Sequence, residues 1–259
     1  MTGRFGGRRV LVTGASRGIG AALAVELAAE GADVAITART LDAHPTLPGS
    51  LNETAEAIEA HGRRAVPIVA DLTDPDDRAR IVPEAEAGLD GLLDVLVNNA
   101  AAAIYQPLAD YPLKRRRLIF EANVHAPLDL AQAVLPGMIE RGEGWILNLS
   151  SGSARSRPGP PFAANAMGST LGIYGATKAA LNRMTNALAE EVWGTGVRVN
   201  TVEPRAAVHS EGADAHLAGA LDDDQFESMA DMVAGALILC DCGPEVTGGT
   251  HVSLDLLGK

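Results

Sequence analysis

Tyr174 and Lys178 stand four residues apart in Tyr-Gly-Ala-Thr-Lys. The stretch around them reads as helix, and on a helix residues i and i+4 share one face. A phenol is thereby set beside an ammonium. A nearby positive charge favours the phenolate. A Tyr tuned in this way exchanges a proton near neutral pH, which an ordinary Tyr (pKa about 10) does poorly. A second group of residues can do chemistry near the N-terminus. Gly14-Ala15-Ser16-Arg17-Gly18-Ile19-Gly20 follows directly on the apolar run Arg8–Thr13, and Ala21 to Glu30 is rich in Ala, Leu and Glu. Strand, glycine turn and helix in that order let a backbone approach a pyrophosphate closely. The helix N-terminus adds unpaired N–H groups and the positive end of its dipole.

The elements that must position these residues alternate along the whole chain. Strands are expected near Arg9–Thr13, Asp33–Thr37, Ala65–Val69, Val95–Val97, Trp145–Leu149, Arg198–Val202 and His251–Leu254. Helices are expected at Asn52–His61, Asp74–Gly88 and Gly172–Trp193, with one or two more inside Arg116–Arg141. Alternation without a repeat or long linker predicts an α/β fold, a Rossmann-like doubly wound parallel sheet of about seven strands. At 259 residues one domain spanning 1–259 is expected. Such sheets bind ligands at the carboxyl ends of their strands, where the strand order reverses. The motifs fall at those ends or in the helices just after them.

Composition narrows the function. Hydrophobic residues make up 47% and aromatics 3%, so Ala, Val and Leu must fill the core. The net charge of −12 argues against nucleic-acid binding, with Lys114-Arg115-Arg116-Arg117 read as a solvated helix face. There is no apolar run of about 20 residues to span a membrane. Arg8 and Arg9 lead straight into the first strand without a signal-peptide core, so a cytoplasmic enzyme is expected. Cys240 and Cys242 lack further ligands at suitable spacing, and no metal site is expected.

Taken together, the motifs resemble the short-chain dehydrogenase/reductase family over nearly the whole chain. Thr13-Gly14-Ala15-Ser16-Arg17-Gly18-Ile19-Gly20 is similar to its cofactor turn. Asp71-Leu72 is similar to its adenine-contacting pair, and Asn98-Asn99-Ala100-Ala101 to its Asn-Asn-Ala-Gly motif. Asn123 falls at the family's structural and proton-relay Asn. Asn148-Leu149-Ser150-Ser151 resembles the strand end that carries the catalytic Ser. The resemblance implies catalysis by Asn123, Ser151, Tyr174 and Lys178. Ser150 and Ser153 are close rivals of Ser151, which is chosen as the second Ser of the motif. It further implies a cofactor held by Gly14, Ser16, Arg17, Gly18, Ile19, Gly20, Arg39, Asp71, Leu72, Asn98, Ala100, Tyr174, Lys178, Pro204 and Val208. Tyr174 would be acid in reduction and base in oxidation, Lys178 would lower its pKa, and Asn123 would link Lys178 through water to solvent. Ser151 would hold the substrate oxygen.

The second strand ends in Ala38-Arg39-Thr40, with no acid to accept from a ribose hydroxyl, and Asp42 comes too late. Arg39 and Arg17 suit a 2′-phosphate, so NADP(H) is preferred over NAD(H). The expected reaction interconverts an alcohol and a ketone or aldehyde. A dehydratase, an isomerase and a non-catalytic dinucleotide-binding protein are the alternatives. The resemblance implies a homotetramer or homodimer paired through the helices around Asn123–Arg141 and Gly172–Trp193.

Three departures from the family concern the substrate. The segment between Ser151 and Tyr174 is long and rich in Pro and Gly. There Phe162 and Met167 offer an apolar wall and Arg155 and Arg157 a site for an anionic group; an outward-facing loop is the equal alternative. The stretch from Thr40 through His44-Pro45 to Gly49 resembles that of some hydroxysteroid-dehydrogenase-like members, with His44 read as a loop residue. The family's Pro-Gly pair is Pro204-Arg205, which puts the close passage of the chain by the nicotinamide in doubt. Ser210 stands near the family's usual Thr, and Ala206 to Leu221 looks like a mobile lid.

Overall fold

The computed structural model describes residues 3–42, 48–162, 170–205, 207–209 and 226–259. Each strand of the main sheet begins as a short, largely apolar run: β1 (Arg9–Thr13), β2 (Asp33–Ala38), β3 (Ala65–Val69), β4 (Val95–Asn98), β5 (Gly144–Leu149), β6 (Val197–Glu203) and β9 (Thr250–Val252). All pair in parallel, in the order β3-β2-β1-β4-β5-β6-β9. Two residues each in β7 (Ala207–Val208) and β8 (Phe226–Glu227) form a separate parallel pair. The order reverses between β1 and β4, so a crevice opens there at the carboxyl ends.

Helices cover both faces. On one side α1 (Gly18–Ala29), α2 (Leu51–Glu59) and α7 (Met229–Leu239) bury Leu23, Leu27, Ile58 and Met232 against Val10, Val12, Val95 and Leu147. On the other, α3 (Pro75–Gly88), α5 (Ala126–Arg141) and α6 (Gly172–Glu191) bury Ile81, Leu130, Val134 and Ala189 against Leu11, Leu96 and Ile146. Alternate residues of one strand thus feed opposite cores. Local signals start and stop the helices. Ser50 Oγ accepts from Glu53 N at 3.1 Å to cap α2, and Gly142 ends α5 in the left-handed region at φ 74°.

The chain inside Arg116–Arg141 is α4 (Leu113–Phe120), a π-turn (Glu121–His125) and α5 in unbroken succession. Lys114 to Arg117 are all exposed on α4. The last strand is shorter than expected: it stops at Val252, and Ser253–Leu256 form α8. Ser253 is fully buried, its Oγ donating to Glu227 Oε1 at 2.5 Å and to Glu203 O at 3.4 Å, which turns the chain away from the sheet. α6 stops at Glu191, short of Trp193. Among the described residues no helix is long and apolar enough to cross a membrane, and no group of three metal-ligating side chains gathers. Cys240 and Cys242 are buried free thiols, and burial pushes Cys240 up to about 12.

Candidate active site

The glycine turn is built as a hydrogen-bonded cradle. Gly14 N and Ala15 N donate to Thr37 O at 2.7 and 3.1 Å. Asn99 Nδ2 donates to Thr13 O and Gly14 O, and Thr13 Oγ1 accepts from Asn99 N and Ala100 N at 3.1 Å each. Gly14 has φ 67°, and a Cβ there would come within 2.7 Å of Ala100 Cα. A side chain is excluded on both counts. Ser16 is buried at the turn, and Gly18, Ile19 and Gly20 open α1. No side chain caps that helix, since Arg17 at its N-cap makes no capping bond. Its first N–H groups are left for an anion, and the cradle fits a pyrophosphate.

Other expected cofactor residues lie around this cradle. Arg39 is exposed just beyond β2. Arg17 instead donates to Pro48 O and Gly49 O at 2.8 and 3.0 Å, so its guanidinium holds the loop after β2. Asp42 accepts from Asn52 Nδ2 and is tied to α2. Asp71 folds into a turn, its Oδ1 accepting from Thr73 N and Oγ1, while Leu72 packs against the core. The Asn98 side chain turns to the far side of the sheet, donating to Asn148 Oδ1 at 2.8 Å and to Pro127 O at 3.3 Å. Val208 is buried in β7, and Pro204 follows β6.

The proposed catalytic side chains converge at the ends of β5 and α6. Ser151 Oγ accepts from Ser153 N at 3.2 Å and from Ser153 Oγ at 3.0 Å, and its hydroxyl favours the Tyr174 phenolate. Ser150 lies on the opposite face of the strand end, 8% exposed, with an unpartnered Oγ. The alternation of the strand therefore separates the two serines. Tyr105 packs edge-on to Tyr174, with ring centroids 5.8 Å apart. Burial raises the Tyr174 pKa, Tyr105 adds to the rise and the Ser151 hydroxyl opposes it. Lys178 is 3% exposed and donates to Leu149 O at 2.7 Å; its Nζ is 5.8 Å from the Tyr174 ring centroid. Burial pushes Lys178 down to about 8. The Tyr174 pKa therefore moves up, against the expected lowering by Lys178, because desolvation of the phenolate dominates.

Asn123 sits in the π-turn, a backbone feature that gives no local sequence signal. Both hydrogens of its amide are spent, on Ala102 O at 2.9 Å and Thr177 Oγ1 at 3.0 Å, while its Oδ1 accepts from Ala102 N at 2.7 Å. Thr177 Oγ1 in turn donates to Tyr174 O. The Asn123 side chain therefore locks the segment after β4 to α6.

The departures resolve in part. Phe162 is 67% exposed and its ring lies over Gly159. Arg155 pairs with Glu203 at 3.1 Å, and Arg157 is exposed. Arg205 donates from its side chain to Asp255 Oδ1 and Lys259 O at 2.8 and 2.6 Å, which carries the guanidinium off toward the C-terminus. His44, Met167, Ser210 and most of the expected lid, Ala206 to Leu221, lie outside the described residues. Glu203, buried at the end of β6, is a residue that carries no local sequence pattern to mark it.

Comparison with known proteins agrees with this geometry. A family model described as short chain dehydrogenase matches residues 8–214. The chain is 34% identical over 219 residues to hydroxysteroid dehydrogenase-like protein 2 of Bos taurus, covering 82% of this chain and 49% of that protein. It is 35% identical over 198 residues to the ketoacyl reductase HetN of Nostoc, covering 76% of this chain and 63% of that one. The chain thus spans about half to two thirds of the length of these relatives. A solved short chain dehydrogenase from Burkholderia cenocepacia, in complex with NADP, superposes with a TM-score of 0.80 at 33% identity, covering 96% of this chain and 97% of that one. A short-chain type dehydrogenase/reductase from Mycobacterium marinum superposes with a TM-score of 0.81 at 28% identity, covering 96% and 94%.

Proposed function

The chain belongs to the short-chain dehydrogenase family, and from that premise we propose an NADP(H)-dependent oxidoreductase that interconverts an alcohol and a ketone or aldehyde. The observation that carries this reading is Lys178, buried on the helix that bears Tyr174, with its Nζ 5.8 Å from the phenol ring and donating to Leu149 O at the end of the strand that leads to Ser151. These groups stand at the strand ends where the uncapped N-terminus of α1 also opens. Gly14, Ser16, Gly18, Ile19 and Gly20 would hold the pyrophosphate, and Arg39 the 2′-phosphate. When bound, the cofactor supplies or accepts the hydride.

The chain's own residues handle the proton. Ser151 orients the substrate oxygen and stabilises charge developing on it. Tyr174 keeps its proton in the free protein because burial disfavours the phenolate. It is therefore set to protonate the carbonyl oxygen in the reductive direction. Oxidation requires the phenolate, and the Lys178 ammonium is the charge on α6 that favours it. At neutral pH Lys178 remains mostly charged, since its pKa of about 8 lies above 7.

A fluorescence titration with NADPH and NADH, followed by turnover with a carbonyl panel, tests the reading. The panel should include a steroid ketone and a 3-ketoacyl thioester, matching the names of the relatives. Tight NADPH binding, weak NADH binding and turnover by the wild type support it. In Tyr174→Phe, cofactor binding should persist while kcat falls about 10²–10⁴-fold. Binding without turnover across the panel favours a dinucleotide-binding protein, and NADH preference overturns the role of Arg39. The same family premise supports a homodimer or homotetramer built on α5 and α6.

A further inference from the structure

Glu203 ends β6 as a carboxylate only 2% exposed. Its Oε1 pairs with Arg155 Nη2 at 3.1 Å, and its Oε2 is buried without a hydrogen-bond partner. A buried carboxylate with one oxygen unmatched is a cost to the fold. Its register neighbour across the sheet is the catalytic strand: Leu149 pairs with Val202, and Ser150 N donates to Val202 O. Arg155 ends the 3-10 turn Gly152–Ala154 that follows Ser151. Its guanidinium lies directly over Gly152, 3.0 Å from where a Cβ would stand. The far side of the same turn is pressed on α6, where a Cβ at Gly175 would collide with Ser153 O. The turn that aims Ser151 is therefore clamped between α6 and the Arg155–Glu203 pair.

We propose that Glu203 is a positioning residue for the Ser151 hydroxyl, acting through Arg155; this rests on the oxidoreductase reading above. Ionised, Glu203 holds Arg155 over the turn and keeps Ser151 Oγ aimed at the substrate oxygen. Protonated, it releases Arg155, which is 60% exposed and gains solvent instead. The same pairing gives Arg155 a partner inside the chain besides the anionic substrate group expected there.

Among the described residues, Arg155 is the charged group paired with Glu203, and Glu227 on β8 has its oxygens taken by Ser253 Oγ and Arg205 N. Val252 is its register partner on β9. Burial raises the Glu203 pKa and Arg155 opposes the rise. A carboxyl raised in the folded state favours stability below its unfolded pKa and loses that contribution as pH rises through the folded value. Stability and rate therefore respond to this group with opposite signs.

Glu203→Gln, Arg155→Met and the double variant test the inference. Each single variant should lower kcat at least about tenfold at pH 7 with KM little changed, and the double variant should lose no more than a single one. Glu203→Gln should melt no lower than wild type at pH 7, with its advantage growing between acid and neutral pH. The wild-type acid limb in kcat should be absent from Glu203→Gln. In the free protein, the Gly152 and Ser153 amide NMR signals should titrate with the Glu203 carboxyl, and should stop doing so in Arg155→Met. Unchanged kcat in the single variants, or a rate loss in Glu203→Gln matched by a lower melting temperature, overturns the proposal. So do amide signals indifferent to the Glu203 titration. If wild type reduces no carbonyl, the oxidoreductase reading fails, and the amide titration still decides whether Glu203 controls the turn.

Discussion

Lys178 shows how burial sets the chemistry of one residue. Its ammonium is taken from water into a site where Leu149 O accepts from it. Desolvation dominates, and the pKa comes down to about 8 from 10.5. A lysine depressed in the folded state contributes stability above its unfolded pKa and loses it as pH falls through the folded value. Wild type should thus gain stability relative to Lys178→Met between about pH 8 and 10.5, on the order of 3 kcal/mol. Denaturant melts of both proteins across that range check it; parallel curves would mean that the amine is not desolvated. The position of Lys178 is legible from sequence because four residues of helix fix its relation to Tyr174. The balance of forces on the pair is not. Whether a charge or burial governs Tyr174 depends on Tyr105, which approaches from a segment 69 residues earlier in the chain. The Arg155–Glu203 pair is hidden for the same reason: neither residue carries a local pattern that names its partner.

At the scale of elements, the periodicity of apolar residues placed all seven strands of the main sheet, with adjustments confined to their ends. Those ends depend on side chains from elsewhere. Ser253 leaves the sheet because Glu227 and the Glu203 carbonyl are there to receive its hydroxyl. The π-turn at Asn123 forms where Ala102 and Thr177 bind its amide, so its cause is tertiary. Arg78 does similar work between helices. It is 6% exposed on α3, and its guanidinium donates to Asp129 and Glu121 at 2.7 and 3.0 Å and to Leu72 O at 2.9 Å. It ties α3 to α5 and to the start of the π-turn. Both acids are partly exposed, so solvent screening limits the loss when the arginine is removed. Arg78→Met should destabilise the protein by about 1–3 kcal/mol, less than breaking a fully buried network. Urea titration reads this as a lower midpoint at unchanged slope. A loss well under 0.5 kcal/mol would show that Met packing between the helices replaces the ion pairs.

For the whole molecule, the question is what covers the outer face of α5 and α6. The glycine cradle and the catalytic cluster are internal to one chain, but Pro127, Leu128, Ala131, Leu181, Met184 and Leu188 line a shallow, mainly apolar groove between these helices. Ile139, farther along α5, is 42% exposed. A chain with a net charge of −12 repels its copies at long range, so association requires a short-range apolar contact of this kind. α6 also carries Tyr174 and Lys178, and a partner seated on its outer face would stiffen the helix that holds them. Wild type should therefore sediment as a dimer or tetramer, more firmly at high salt where repulsion is screened. Met184→Glu places a charge in the groove and should weaken association by about 2 kcal/mol or more, some thirtyfold in Kd. Cofactor affinity should change little in the resulting monomer, since the cradle at Gly14 lies across the sheet on β1 and α1. If the variant remains assembled, another face joins the subunits. If NADPH binding is lost with assembly, the crevice depends on its partner.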